Sequence, residues 1–137
     1  MTRVDFFFNV ENKSKKLAEL AEKITAKGHQ LYIYAPEKQI AQALDDYLWA
    51  FTPSSFLPHA MDTIEPSAIL IESEAKNLLH DDVMVNFALE VPTFFSRFLR
   101  VIEIVSTDEA DKVAARKRFK LYRDQGYDIK TLDATDQ

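Results

Sequence analysis

Short apolar runs alternate with stretches of helical spacing along this chain, and that alternation restricts its fold most. "VDFFFNV" (Val4 to Val10), "QLYIYA" (Gln30 to Ala35), "SAILIE" (Ser67 to Glu72), "VMVNFA" (Val83 to Ala88) and "RVIEIV" (Arg100 to Val105) read as strands. Each is nearly continuous in apolar residues, the pattern of a strand covered on both faces. Parallel neighbours need long crossover connections, and helices supply them. The pattern predicts right-handed βαβ units and a three-layer α/β/α fold, with a mostly parallel central sheet of about five strands. "YDIKTL" adds a further extended piece. The 137 residues fit one domain, 1–137, with no linker or repeat.

The helices show their ends. Asn12 or Ser14 is placed to cap the first, Leu17, Leu20, Ala21 and Ile24 form its apolar stripe, and Gly28 suits the position just past its end. Pro36 opens the second, in which Ile40, Leu44, Tyr47, Leu48 and Phe51 share a face. "VPTFFSRFL" suits a short helix with Phe94, Phe95 and Phe98 inward, and Thr107 is the expected cap of a long final helix ending near Gly126.

A repeated βα pattern invites a nucleotide-binding reading, but that chemistry needs glycines for a tight turn and for close approach of backbone N–H groups to phosphate. The chain has two, Gly28 and Gly126, both at predicted helix ends. The fold is therefore Rossmann-like without the nucleotide-binding glycine loop. The absence of cysteine rules out disulfides and zinc–thiolate sites. The three histidines, His29, His59 and His80, fall in separate segments and support neither a metal site nor a catalytic pair by spacing. No cofactor or metal is expected. No apolar run reaches the roughly 18 residues that span a membrane, and "MTRVDFFFNV" reads as a first strand rather than a signal peptide.

The formal net charge of −5 argues against generic nucleic-acid binding. Between Lys112 and Arg123, however, six of twelve residues are basic and none is acidic, which leaves the remainder of the chain at −11. On a helical wheel Lys112, Arg116, Lys120 and Arg123 fall within roughly 80°, with Phe119 at the border of that arc. Ala110, Val113, Ala114 and Leu121 cluster roughly opposite, where they are expected to face the sheet. A solvated face is one reading of the basic stripe. Such a face normally mixes signs, with Glu four residues before Lys. Here the compensating acids are missing, so the stripe also suits an acidic peptide with an apolar end.

"LWAFTPSSFLPHAM" (Leu48 to Met61) is too broken for a helix and too apolar for an ordinary loop. Trp49 lies about 180° from Ile40 on the wheel and points away from the core stripe. Pro53 and Pro58 stop the helix and leave Phe56 and Leu57 extended. Two readings stand open: a satellite cluster in which Trp49 packs under Phe56, or an exposed aromatic patch that anchors a partner.

Two segments carry a family resemblance. "LDDYLWAFTPSSFLPHAM" and "ARKRFKLYRDQGYDI" resemble characteristic blocks of the chi subunit of bacterial DNA polymerase III, and the length and the N-terminal β-α-β order also suit that family, so the resemblance covers essentially the whole chain, with Met61 to Asn77 matching poorly. The resemblance implies a bacterial, cytoplasmic, non-catalytic subunit of the polymerase holoenzyme. It would link the clamp loader, through the psi subunit, to the acidic C-terminal tail of single-stranded-DNA-binding protein, and would meet DNA only indirectly. Lys112, Arg116, Phe119, Lys120, Tyr122 and Arg123 would form or border the tail site. Trp49, Phe56, Leu57 and Pro58 would contact psi or a helicase-like competitor, giving a monomer or a one-to-one heterodimer. Phe119 stands where family members often carry Tyr, so a phenolic hydrogen bond to the tail would be absent. Two alternatives come from the residues: a small α/β enzyme using Asp5, His59 and His80, or direct binding of DNA by the basic helix.

Overall fold

The computed structural model describes residues 2–51, 59–61, 68–75 and 80–136. Seven strands, β1 (Arg3–Val10), β2 (Leu31–Tyr34), β3 (His59–Met61), β4 (Ile69–Glu72), β5 (Val83–Asn86), β6 (Arg100–Ser106) and β7 (Asp128–Asp133), form one sheet in the order β3-β4-β2-β5-β6-β1-β7. Every neighbouring pair is parallel. Three helices, α1 (Lys13–Ala26), α2 (Lys38–Phe51) and α3 (Glu109–Asp124), complete the α/β/α layers. The fold class read from the sequence holds. The sheet is larger than the expected five strands because the extended piece is β7 and because three residues of the Leu48–Met61 stretch pair as β3.

Topology assigns the layers. β1 connects through α1 towards β2, and β2 through α2 towards β3, both in one direction along the sheet. β6 connects through α3 to β7 in the opposite direction. Right-handed crossovers running opposite ways lie on opposite faces. One core accordingly joins Leu17, Leu20, Ala21 and Ile24 of α1 and Ala41, Leu44 and Leu48 of α2 to Phe7, Ile33, Ile71, Val85 and Ile102 of the strands. The other joins Ala115 and Tyr122 of α3 to the alternate strand positions Val4, Phe6, Tyr32, Met84 and Val101, with Phe95 and Phe98 from a short 3₁₀ turn (Phe95–Arg97). Alternation along each strand divides the cores, and this is why the strand sequences are apolar throughout.

The caps show how local chemistry sets the ends. Asn12 caps α1, its side chain accepting from the Lys15 N–H at 3.1 Å. The cap of α3 is Asp108 rather than the expected Thr107: its carboxylate accepts from the Asp111 N–H at 3.1 Å. Gly28 (φ +82) and Gly126 (φ +84) occupy the left-handed conformation just past α1 and α3. At both ends the following residue donates its N–H back across the turn, His29 to Ile24 and Tyr127 to Tyr122, each at 3.1 Å. Glycine reaches that conformation without a Cβ clash.

The inward face of α3 differs from the wheel reading. Val113 and Leu121 are 43% and 39% exposed, Ala110 is exposed, and only Ala114 is half-buried. The buried positions are Ala115, Arg118 and Tyr122. The reason is a charge inside the sheet. Glu103 of β6 is fully buried and accepts from Arg118 Nε at 3.0 Å, Tyr122 Oη at 2.8 Å and Asn86 Nδ2 at 2.9 Å. Arg118 also donates to the Leu89 carbonyl at 3.1 Å, tying α3 to the turn after β5. Burial pushes the Glu103 carboxyl up, while Arg118 and the two other donors oppose that push. Burial and the adjacent Glu103 raise the Tyr122 phenol far above its ordinary range.

Candidate functional site

A groove of about 350 Å³ runs between α3 and the edge formed by β1 and β7. Its floor is apolar: Phe6 and Phe8 of β1, Val105 of β6, and Ala115 and Phe119 of α3. Phe119 packs edge-on against Phe6, with ring centroids 5.3 Å apart. Lys112 and Arg116 form one wall. The groove lies towards the carboxyl ends of β1 and β6, the side on which open α/β sheets receive ligands.

The end of β1 shapes this groove. Its pairing with β6 slips between Phe7 and Val10, and Asn9 takes φ +60, which asparagine tolerates better than most residues. The slip turns Val10 onto the α1 side, whereas Phe8 packs against the α3-side core. Asn9 Nδ2 donates to Asp133 Oδ1 at 3.2 Å, joining the ends of β1 and β7.

The wall's cations are accessible. Lys112 has no ion pair among the described residues, and neither has Lys120. Arg116 reaches Glu109 only at 3.8 Å, both side chains being largely exposed. Arg123 pairs with Asp124 at 3.6 Å, also in the open. Exposed pairs of this kind contribute about 0–1 kcal/mol and are easily exchanged for a better-placed carboxylate. At the start of α3, Asp111 links three elements. Burial pushes its carboxyl up, but the Ser106 N–H (2.8 Å) and the Lys13 ammonium (3.4 Å) outweigh that push and hold it below the usual carboxylate range.

Of the residues expected at a tail site, the groove gathers Lys112, Arg116 and Phe119. Lys120 and Arg123 continue the ridge of the same helix outside the lining. Tyr122 does not border the groove: it is fully buried and its hydroxyl is spent on Glu103. The sequence reading missed the floor residues Phe6, Phe8 and Val105, although the Phe triplet in an otherwise ordinary strand was the available signal. On α2, Trp49 is 53% exposed and points away from the core, as the wheel indicated. Ile40, expected in the covered stripe, is 37% exposed, and Ala41 is buried instead. Phe56, Leu57 and Pro58 lie outside the described residues.

Among the described residues, the candidates of the enzyme alternative do not converge on the groove. Asp5 is buried near the amino end of β1, where it accepts from Arg100 Nε at 2.7 Å. His80 is buried with Nδ1 3.2 Å from the Leu31 carbonyl, at the start of β2. Both sit at the end of the sheet opposite the groove, and the His59 side chain lies outside the described set. Among the described residues no group of three or more His, Asp or Glu could hold a metal ion, and no helix is long and apolar enough to cross a membrane.

Comparison with known proteins shows the family of the chain. The family model for the DNA polymerase III chi subunit, HolC, matches residues 1–130. Proteins named DNA polymerase III subunit chi from Pseudomonas aeruginosa and Haemophilus influenzae are 35% and 31% identical, over 94% and 92% of this chain and 94% and 93% of their own lengths. One from Escherichia coli is 25% identical over 95% of this chain and 89% of its own length. Chi is an accessory subunit of the holoenzyme rather than its catalytic one. A match across nearly the whole chain places this protein in the DNA polymerase III chi-subunit family, and with it in the replication of DNA as part of the polymerase III complex.

Proposed function

We propose that this protein is a two-sided adaptor, in which the α3 groove captures the acidic C-terminal tail of single-stranded-DNA-binding protein and the Trp49 face of α2 docks the psi subunit of the clamp loader or a helicase-like competitor. The observation that supports the reading is the groove itself: an apolar floor beside Phe119, walled by two cations that no carboxylate among the described residues holds tightly. A peptide ending in an apolar residue would place that side chain on the floor. Its carboxylates would then meet Lys112 and Arg116 through charge-assisted hydrogen bonds. Tethering through many tails on coated DNA would raise the local concentration of the polymerase assembly at a template.

Titration of a fluorescently labelled tail peptide tests the tail site. The peptide should bind, and amidation of its terminal carboxylate or removal of its last residue should weaken binding. Affinity should also fall as salt rises, because part of it is exposed charge. Equal affinity for the native, amidated and shortened peptides would refute the tail reading.

A further inference from the structure

The apolar stripe of α3 faces outward. Ala110, Val113, Ala114, Lys117 and Leu121 fall within an arc of roughly 100° on the wheel. They recur at the spacing of a helix-pairing seam, with a lysine in its middle. Arg118 is drawn inward to Glu103 at 3.0 Å, and this turns the seam to the outside. Val113 and Leu121 are 43% and 39% exposed, and Ala110 and Lys117 are exposed as well. Leu89, 70% exposed, stands beside the same flank, where Arg118 holds its carbonyl at 3.1 Å. Lys112, Arg116 and Phe119 lie on the other flank of the helix, so the seam is separate from the groove.

Charge selects what covers this seam. Lys117 and its outer neighbour Lys120 have no ion pair among the described residues. The acids of α3 nearest the solvent, Glu109 and Asp124, stand at its two ends beside Arg116 and Arg123. A second copy of this chain, paired by a two-fold axis through the seam, would set Lys117 against Lys117, and like charges there are costly. We infer that this flank docks an acidic amphipathic helix of a partner protein, whose apolar side chains seat against Val113, Leu121 and Leu89 while a Glu or Asp carboxylate meets Lys117. A single lysine within an apolar seam fixes the register of the helix that pairs with it, because only one alignment brings a carboxylate to the ammonium. The inference does not depend on the tail groove or on the Trp49 face.

Fluorescence anisotropy with the full-length chain tests this. The probe is a labelled, helix-stapled peptide of about five turns, with Leu at the a and d positions of its heptads and Glu flanking them. A control peptide carries Lys in place of each Glu. The acidic probe should bind the native chain and the basic control should not. Lys117→Glu should weaken the acidic probe about tenfold and reverse the preference towards the control. Leu121→Gln should weaken the acidic probe about fivefold while keeping the native melting temperature and the native affinity for the tail peptide, since Leu121 lies outside both the core and the groove. Absence of probe binding, or equal affinity for the native chain and both variants, would overturn the inference. So would displacement of the probe by the tail peptide, which would place it in the groove. Sedimentation of the native chain alone provides the last check: a dimer that Leu121→Gln abolishes would give the seam to a second copy and overturn the inference, whereas a monomer agrees with it.

Discussion

Helices α2 and α3 treat charge in opposite ways. α2 buries only apolar residues, Ala41, Leu44 and Leu48, and leaves Asp46 exposed and Asp45 half-buried. α3 buries Arg118 against Glu103 and presents apolar Val113 and Leu121 to solvent. The difference shows that hydrophobicity alone does not orient a helix. A fully buried carboxylate in the sheet requires a cation above it, and meeting that requirement turns the whole helix. The turn that brings Arg118 inward carries Lys112 and Arg116 to the lip of the groove, because residues two and six positions earlier lie off the inward face. The buried pair thus aims the proposed tail site, although it touches no ligand.

The sharpest way to break this comparison is to remove the inward cation. Arg118→Ala leaves Glu103 buried without its charge partner and should cost about 3–5 kcal/mol in urea unfolding. The double variant Arg118→Met with Glu103→Leu should recover most of that loss, since an apolar pair of similar size avoids desolvating either charge. If Arg118→Ala proved as stable as the native chain, the pair would not orient α3.

Trp49→Ala probes the other helix. It should cost psi binding about 2 kcal/mol or more, the usual loss for an aromatic anchor, with unchanged tail capture in the same titrations. A large fall in melting temperature would instead make Trp49 part of the core, and the contrast between the helices would narrow.

Two smaller effects sharpen the account of α3. The Asp111 carboxyl is held below its ordinary range in the folded protein, so the stability it contributes is present above the unfolded value, near pH 4, and is lost as pH falls through the lower folded value. Asp111→Asn should flatten the acid limb of the stability profile over that interval; an identical profile would show that the contacts with Ser106 and Lys13 do not stabilise the start of the helix. Gly126→Ala forces a Cβ into φ +84 and should cost about 1 kcal/mol by thermal melting, the penalty for an L residue in the left-handed region. No loss there would mean that the turn relaxes.

Periodicity gave the α1 stripe and most of the sheet because those segments follow one rule, apolar inward. Gly28 and Gly126 were legible as helix ends because few residues reach positive φ easily. The orientation of α3 was not legible in the same way. Its inward side depends on Glu103, a single charged residue in "RVIEIV" that acts from another element, and a wheel drawn for one helix cannot include it. The site was half visible. The unmixed cations of α3 and Phe119 could be read from spacing, whereas the floor comes from β1 and β6, brought beneath α3 only by the crossover. Likewise β3 is three residues that pair only because β4 lies beside them.

The central claim is that Lys112, without an ion pair among the described residues, and Arg116, paired only loosely with Glu109, stand beside an apolar floor to receive a carboxylate from another molecule. Titrating the labelled tail peptide into the native protein and into Arg116→Ala at low salt tests it most directly. The variant should bind more weakly by about 1.5–3 kcal/mol, with an unchanged melting temperature, as a charge-assisted contact is lost. Equal affinity for the two proteins would contradict the claim.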